Sequence, residues 1–401
     1  MQVISRLEYA RKIDSWLGKE QIIVLVGQRR VGKSYVMKDF VARHSNESDA
    51  NIIYIDKEKR DFNFIHTYEQ LNTYIEQHWQ QNRHNYILID EVQDIDGWEH
   101  SVRSFRTEEH TDIVITGSNS KMLSGELSTL LGGRYQEILI LPLSYTEFLQ
   151  FHNLSDGDDA LWLYLNYGGL PGLRNIGLQN EDMAGDYLSG VFHTIMLKDV
   201  IERHTVRNVT FLNNLIVFMA DTVGKLNSAN GIVKYMRSQQ IEMSISSVLA
   251  YMSYFSEAFL THRVGRFDLH GKKILENNDK CYFGDVGLRN YIVGGERNQD
   301  IEKVMENVVF LHLLRMGYSV QVGQLRAGEI DFVCQKSNQK LYIQVAYLIS
   351  NEETANREFG NLRLIADDYP KYVISATPLL KRSDAEGITH LHIREFLKNG
   401  L

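Results

Sequence analysis

Apolar residues in this chain fall into short unbroken runs separated by stretches of helical period. Gln21-Ile22-Ile23-Val24-Leu25-Val26 is the first run, and its β-branched content predicts a buried strand. Asn51–Asp56, Tyr86–Asp90, Ile113–Thr116 and Gln136–Leu141 repeat the pattern. Between them, Leu7, Ala10, Ile13 and Leu17 share one helical face, as do Val36, Met37, Phe40 and Val41. Residues 67–82 also read as a helix. Strands that are apolar throughout, alternating with amphipathic helices, predict an α/β fold around a buried parallel sheet. Past residue 158 helices take over, broken at Tyr167-Gly168-Gly169-Leu170-Pro171-Gly172. Helices over 210–223, 230–240 and 246–260 precede a hairpin, Val264–Leu269 and Lys272–Leu275, with Gly271 at its turn. Cys281–Leu288 reads as a strand and turn. A strongly apolar helix, Glu302–Met316, stops at Gly317 and leads into strands Tyr318–Val322, Gly328–Val333 and Lys340–Ala346.

The polar residues that end the apolar runs carry the chemistry. Gly27-Gln28-Arg29-Arg30-Val31-Gly32-Lys33-Ser34, followed by Tyr35, fits GxxxxGK[ST] between a strand and a helix, the context that pattern requires. Its glycines let successive backbone N–H groups curl around phosphate, with the helix dipole behind them. Lys33 is then expected at the β- and γ-phosphates, and the Ser34 hydroxyl on Mg²⁺. By composition alone the pattern arises in about one or two per cent of chains this long. ATP with Mg²⁺ is the expected ligand pair.

Tyr86-Ile87-Leu88-Ile89-Asp90-Glu91 ends a strand in two carboxylates. Asp90 is the expected Mg²⁺ partner and Glu91 the base that polarises the attacking water. The strand Ile113–Thr116 ends in Gly117-Ser118-Asn119-Ser120, so Ser118 or Asn119 is a candidate γ-phosphate sensor, with a plain polar turn as the alternative. Arg134, after Gly132-Gly133, is a candidate for neutralising transition-state charge in its own site or a neighbour's, or else an exposed structural arginine.

Together with Leu141-Pro142-Leu143-Ser144-Tyr145-Thr146-Glu147-Phe148, these motifs resemble an AAA-type (AAA+) P-loop ATPase family of bacteria and archaea whose C-terminal region has no known function. The resemblance implies an ATPase core over residues 1–155, a helical lid over 156–205, a winged helix over 206–295 and a small α/β restriction-endonuclease-like domain over 296–401. It implies a Mg²⁺-dependent ATPase coupling nucleotide state to those modules. An ATP-gated DNA-binding protein or nuclease, and a nucleotide-dependent protein-binding switch, are the alternatives. In the last domain the helix acid Glu306 and the strand acid Asp331 match the metal-binding carboxylates of such nucleases. Gln344 stands where a third acid belongs and Ala346 where the lysine belongs, so this site reads as degenerate and inactive.

Net charge is −8, which argues against a chain that coats nucleic acid. Residues 262–273 carry four cations against Asp268, a net +3, whereas the helix 246–260 has no Lys or Arg. DNA at the wing and an unidentified protein therefore both stand as candidate partners, and an oligomer is compatible with Arg134 acting in trans. Two unpaired cysteines, no apolar leader and no run of about 18 apolar residues predict a cytoplasmic protein without a membrane span.

Overall fold

Five of the apolar runs become the strands of one parallel sheet. In the computed structural model these are β1 (Ile22–Val26), β2 (Ala50–Asp56), β3 (His84–Asp90), β4 (Thr111–Thr116) and β5 (Tyr135–Leu139), in the order β2-β3-β4-β1-β5. The structure describes residues 4–117, 129–269, 274–294, 300–326, 328–378, 383–385 and 387–401. The interior strand β1, between β4 and β5, is wholly buried, which explains its unbroken apolar sequence. Because all five strands run the same way, their carboxyl ends lie along one edge. Asp56 pairs with Asp90 in register, and Leu25 with Thr116. Everything polar that ends those strands is thereby gathered at that edge.

This sheet belongs to a unit ending at Ile140, and Leu141–Leu401 form a second unit. The division thus falls earlier than position 155. In the second unit, helices Val209–Asp221, Ala229–Ser238 and Ile245–Glu257 precede β7 (Thr261–Asp268) and β8 (Ile274–Phe283), with the short β6 (Leu226–Asn227) after the first helix. Strands β9 (Ser319–Gln324), β10 (Glu329–Lys336), β11 (Gln339–Ala346), β12 (Lys371–Ser375), β13 (Ser383–Ala385) and β14 (Ile388–His392) follow. Among the described residues they join one nine-stranded sheet, β13-β14-β12-β11-β10-β9-β7-β8-β6. The parallel pairing of β7 with β9 carries this sheet across the 295/296 boundary expected from the sequence. The hairpin also differs from expectation. Cys281-Tyr282-Phe283 is the end of β8 rather than a separate strand. A register shift opposite Val264–Arg266 and a left-handed Asn278 (φ 69°) absorb the polar interruption between the two apolar halves.

Two sequence motifs prove to be packing devices. In Pro142–Phe148, Ser144 caps the helix Tyr145–His152: the Glu147 N–H donates to Ser144 Oγ (3.2 Å), and the Ser144 N–H donates to Glu147 Oε2 (2.8 Å). Leu143 and Phe148 are buried beside this box, and Arg315 pairs with Glu147 at 3.3 Å. In Gly284–Leu288, Asp285 accepts the Gly169 N–H (2.8 Å) and the Leu288 N–H (3.0 Å). A Cβ on Gly287 would lie 2.0 Å from the Tyr167 carbonyl oxygen, so only glycine fits there. Burial pushes the Asp285 carboxyl up to about 6, against the three backbone N–H groups that lower it. A folded-state value above the unfolded one stabilises the fold fully below about pH 4. The contribution is lost as pH rises through about 6, a change of up to about 3 kcal/mol. Subtracting the pH dependence of unfolding of Asp285→Asn from that of the wild type is expected to isolate this fall. A flat difference would count against it. Among the described residues no helix is long and apolar enough to cross a membrane.

Candidate functional site

The loop after β1 is shaped by close approach. Gly27 has φ 146°, and a Cβ on it would lie 2.3 Å from the Ile140 carbonyl oxygen. Arg30 and Gly32 also take positive φ, and Gly32 opens the helix Lys33–His44. Lys33 is buried, and its ammonium donates to the carbonyls of Gly27 (2.9 Å) and Gln28 (3.2 Å), closing the loop on itself. Arg6 braces the loop from outside by donating to the Val31 carbonyl at 3.1 Å. Arg29 and Ser34 are half-buried, while Arg30 and Tyr35 are exposed. Gln28 is 2% exposed, yet neither its amide nitrogen nor its amide oxygen has a hydrogen-bond partner among the described residues. An unmet buried amide costs about 1–3 kcal/mol and marks a position for polar groups that the described residues do not supply.

At the same edge Asp90 is 1% exposed. Thr116 Oγ1 donates to Asp90 Oδ1 (2.5 Å) and accepts the Glu91 N–H (3.0 Å), fixing both acids to the tip of β4. The Ser34 hydroxyl lies near enough to Asp90 to favour its charged form, which brings the loop and the acidic strand together. Burial pushes the Asp90 carboxyl up, the Thr116 and Ser34 hydroxyls pull it down, and Glu91 and Asp56 push it up again. Tyr54 reaches Asp90 Oδ2 at 3.4 Å; burial and the charges of Asp90 and Asp56 hold its phenol protonated. Glu91 sits in the left-handed region (φ 55°, ψ 53°), and Gln93 Nε2 donates to Glu91 Oε2 at 2.5 Å. A non-glycine residue held there stores strain of about 1–3 kcal/mol.

The sequence-derived residues separate into groups. Gly27–Ser34, Asp90 and Glu91 converge at one sheet edge. Ser118 and Asn119 lie outside the described residues. Arg134 sits at the opposite edge: its carbonyl accepts the Ile22 N–H, and Tyr135 pairs with Ile22 at the start of β1. Five strand residues at about 3.3 Å each, roughly 16 Å, separate it from Gly27. Parallel strands put entry and exit on opposite edges, so the Arg134 backbone lies at the end of the sheet away from the loop. Sequence reasoning missed Asp56, Tyr54 and Thr116 as neighbours of Asp90. An acid ending β2 was a visible signal, but only strand order makes β2 the neighbour of β3. In the second unit Glu306 and Asp331 do meet, and Gln344 Oε1 faces the Asp331 N–H at 3.4 Å. Lys280, absent from the expected set, lies between the acids.

Residues 19–149 match the family described as an AAA domain, and residues 158–299 match a domain of unknown function. An uncharacterized protein of Haemophilus influenzae is 34% identical over 403 residues, 98% of either chain. The chain belongs to this AAA-domain family. An uncharacterized protein of Methanocaldococcus jannaschii is 30% identical over 381 residues, 89% of this chain and 82% of that one. Among solved structures, a Walker-type ATPase of Pyrococcus abyssi is similar at a TM-score of 0.50 and 15% identity, over 73% of this chain and 96% of that one. That likeness is one of fold. As an AAA domain, the first unit has the five-stranded parallel α/β fold of P-loop nucleotide-binding modules.

Proposed function

We propose that this protein is a Mg²⁺-dependent ATPase whose AAA domain works the C-terminal unit. The supporting observation is the meeting, at one sheet edge, of the Gly27–Ser34 loop with Asp90 through the Ser34 and Thr116 hydroxyls. The residues fit the ligand pair. The Gln28 amide has no hydrogen-bond partner among the described residues, Gly27 leaves no room for a side chain, and Lys33 is a buried cation in the loop. Ser34 and Asp90 would hold Mg²⁺, which when bound neutralises charge on the β- and γ-phosphate oxygens.

The chain's own residues then divide the work. Lys33 exchanges its carbonyl partners for phosphate oxygens. Thr116 keeps Asp90 and Glu91 in fixed relation. Glu91, released from Gln93, accepts a proton from the attacking water. Asn119 is the proposed polar sensor after β4, and Arg134 is the proposed finger for a second copy's site. The lid over 156–205, the winged helix over 206–295 and the nuclease-like domain over 296–401 are the proposed responders. The order of helices and hairpin strands over 209–283 supports the winged-helix reading, and a cytoplasmic location goes with it.

A steady-state ATPase assay with and without DNA tests the proposal. Mg²⁺-dependent phosphate release is expected, and its absence under all conditions would leave only a binding switch. Arg134 gives a further prediction. Arg134→Ala and Lys33→Ala should each be nearly inactive alone, yet regain activity when mixed, because hybrid sites combine one intact loop with one intact arginine. No gain on mixing would exclude the trans role.

A further inference from the structure

The nuclease resemblance calls for a divalent ion among Glu306, Asp331 and a third acid, and the side chains present do not fit one. Lys280 of β8 is 3% exposed in its side chain, and its ammonium lies 2.7 Å from Glu329 Oε1, 2.8 Å from Glu306 Oε1 and 3.1 Å from Asp331 Oδ1. These acids come from β10 and the helix Ile301–Arg315, so the lysine stands at the point where the elements meet. Metal–oxygen bonds of 2.0–2.6 Å would need the same oxygens, and an ammonium already holding them leaves neither space nor charge. Other bonds draw on the same carboxylates. Asp331 Oδ2 accepts the Val345 N–H (3.0 Å), and the Tyr282 hydroxyl donates to Glu306 Oε1 (2.5 Å). A Cβ on Gly224 would sit 2.8 Å from Glu306 Oε2, so backbone closes that side. Among the described residues no group of three or more His, Cys, Asp or Glu is arranged to hold a metal.

We propose that Lys280 is the resident cation of this centre, taking the place of a divalent ion and fastening β8 to β10 and the helix Ile301–Arg315. The sequence lacks a lysine at Ala346, and the hairpin supplies one from 66 positions earlier (346 − 280) into the carboxylates themselves rather than beside them. The centre is then an internal ion cluster with no call on metal and no phosphodiester chemistry. This inference is independent of the ATPase reading.

Mn²⁺ titration of the full chain without nucleotide, followed by electron paramagnetic resonance, tests it. Wild type, Asp331→Asn and Glu306→Gln are expected to bind the same number of Mn²⁺ ions. One additional ion in the wild type relative to either variant would overturn the proposal. Lys280→Ala is expected to unfold at lower temperature and to gain one Mn²⁺ that also raises its midpoint, with both gains lost in Lys280→Ala/Asp331→Asn. A folded Lys280→Ala protein indifferent to Mn²⁺ would likewise overturn it. The wild-type comparison uses no change at position 280, so it decides the matter even where Lys280→Ala does not fold.

Discussion

Glu91→Gln is expected to bind ATP with near wild-type affinity and to hydrolyse it about 10²–10⁴-fold more slowly, the usual worth of a positioned base. The substitution is close to isosteric. The Glu91 backbone N–H keeps its bond to Thr116, so the tie between β3 and β4 survives. What is lost is a carboxylate able to take a proton. Its contact with Gln93 becomes amide to amide, and the left-handed backbone at position 91 is unchanged in its demands. Single-turnover hydrolysis alongside fluorescent-nucleotide binding separates the two effects. Hydrolysis at the wild-type rate would remove Glu91 from the role and leave Asp56 as the acid to examine.

Lys33→Ala is expected to weaken ATP binding about 10²-fold or more and to abolish turnover. Charge-assisted hydrogen bonds contribute roughly 1.5–3 kcal/mol each, and Lys33 is placed to make more than one. The variant also loses the two bonds by which the ammonium holds the carbonyls of Gly27 and Gln28, so the loop itself loosens. Calorimetric titration with ATP and Mg²⁺ gives the affinity, and thermal unfolding without nucleotide reports the loop's own loss. Binding within threefold of wild type would contradict the placement of Lys33 at the phosphates.

Much of the first unit was legible because its signals are local. An apolar run, a glycine-rich octet and an apolar helix face occupy 21 consecutive residues, 21–41, and each is decided by neighbours in sequence. Asp90 and Glu91 were legible for the same reason, since a strand's end is visible where apolar residues stop. The Ser144–Glu147 box within Leu141–Phe148 became plain only with the helix start at Tyr145.

Sequence by itself determined the alternation of strand and helix, the glycine-containing loop between β1 and the next helix, and the identity of Gln344 and Ala346 where the nuclease resemblance would put an acid and a lysine. Those properties depend on side-chain period and residue identity, which no fold can change. Tertiary structure alone decided three things. It set Arg134 on the edge away from Gly27, because strand direction, not spacing, fixes which ends meet. It brought Asp56 and Thr116 to Asp90, because strand order does not follow chain order. It placed Lys280 among Glu306, Glu329 and Asp331, because a buried ammonium goes where carboxylates from other elements converge, and pairings over such separations leave no periodic trace in the sequence.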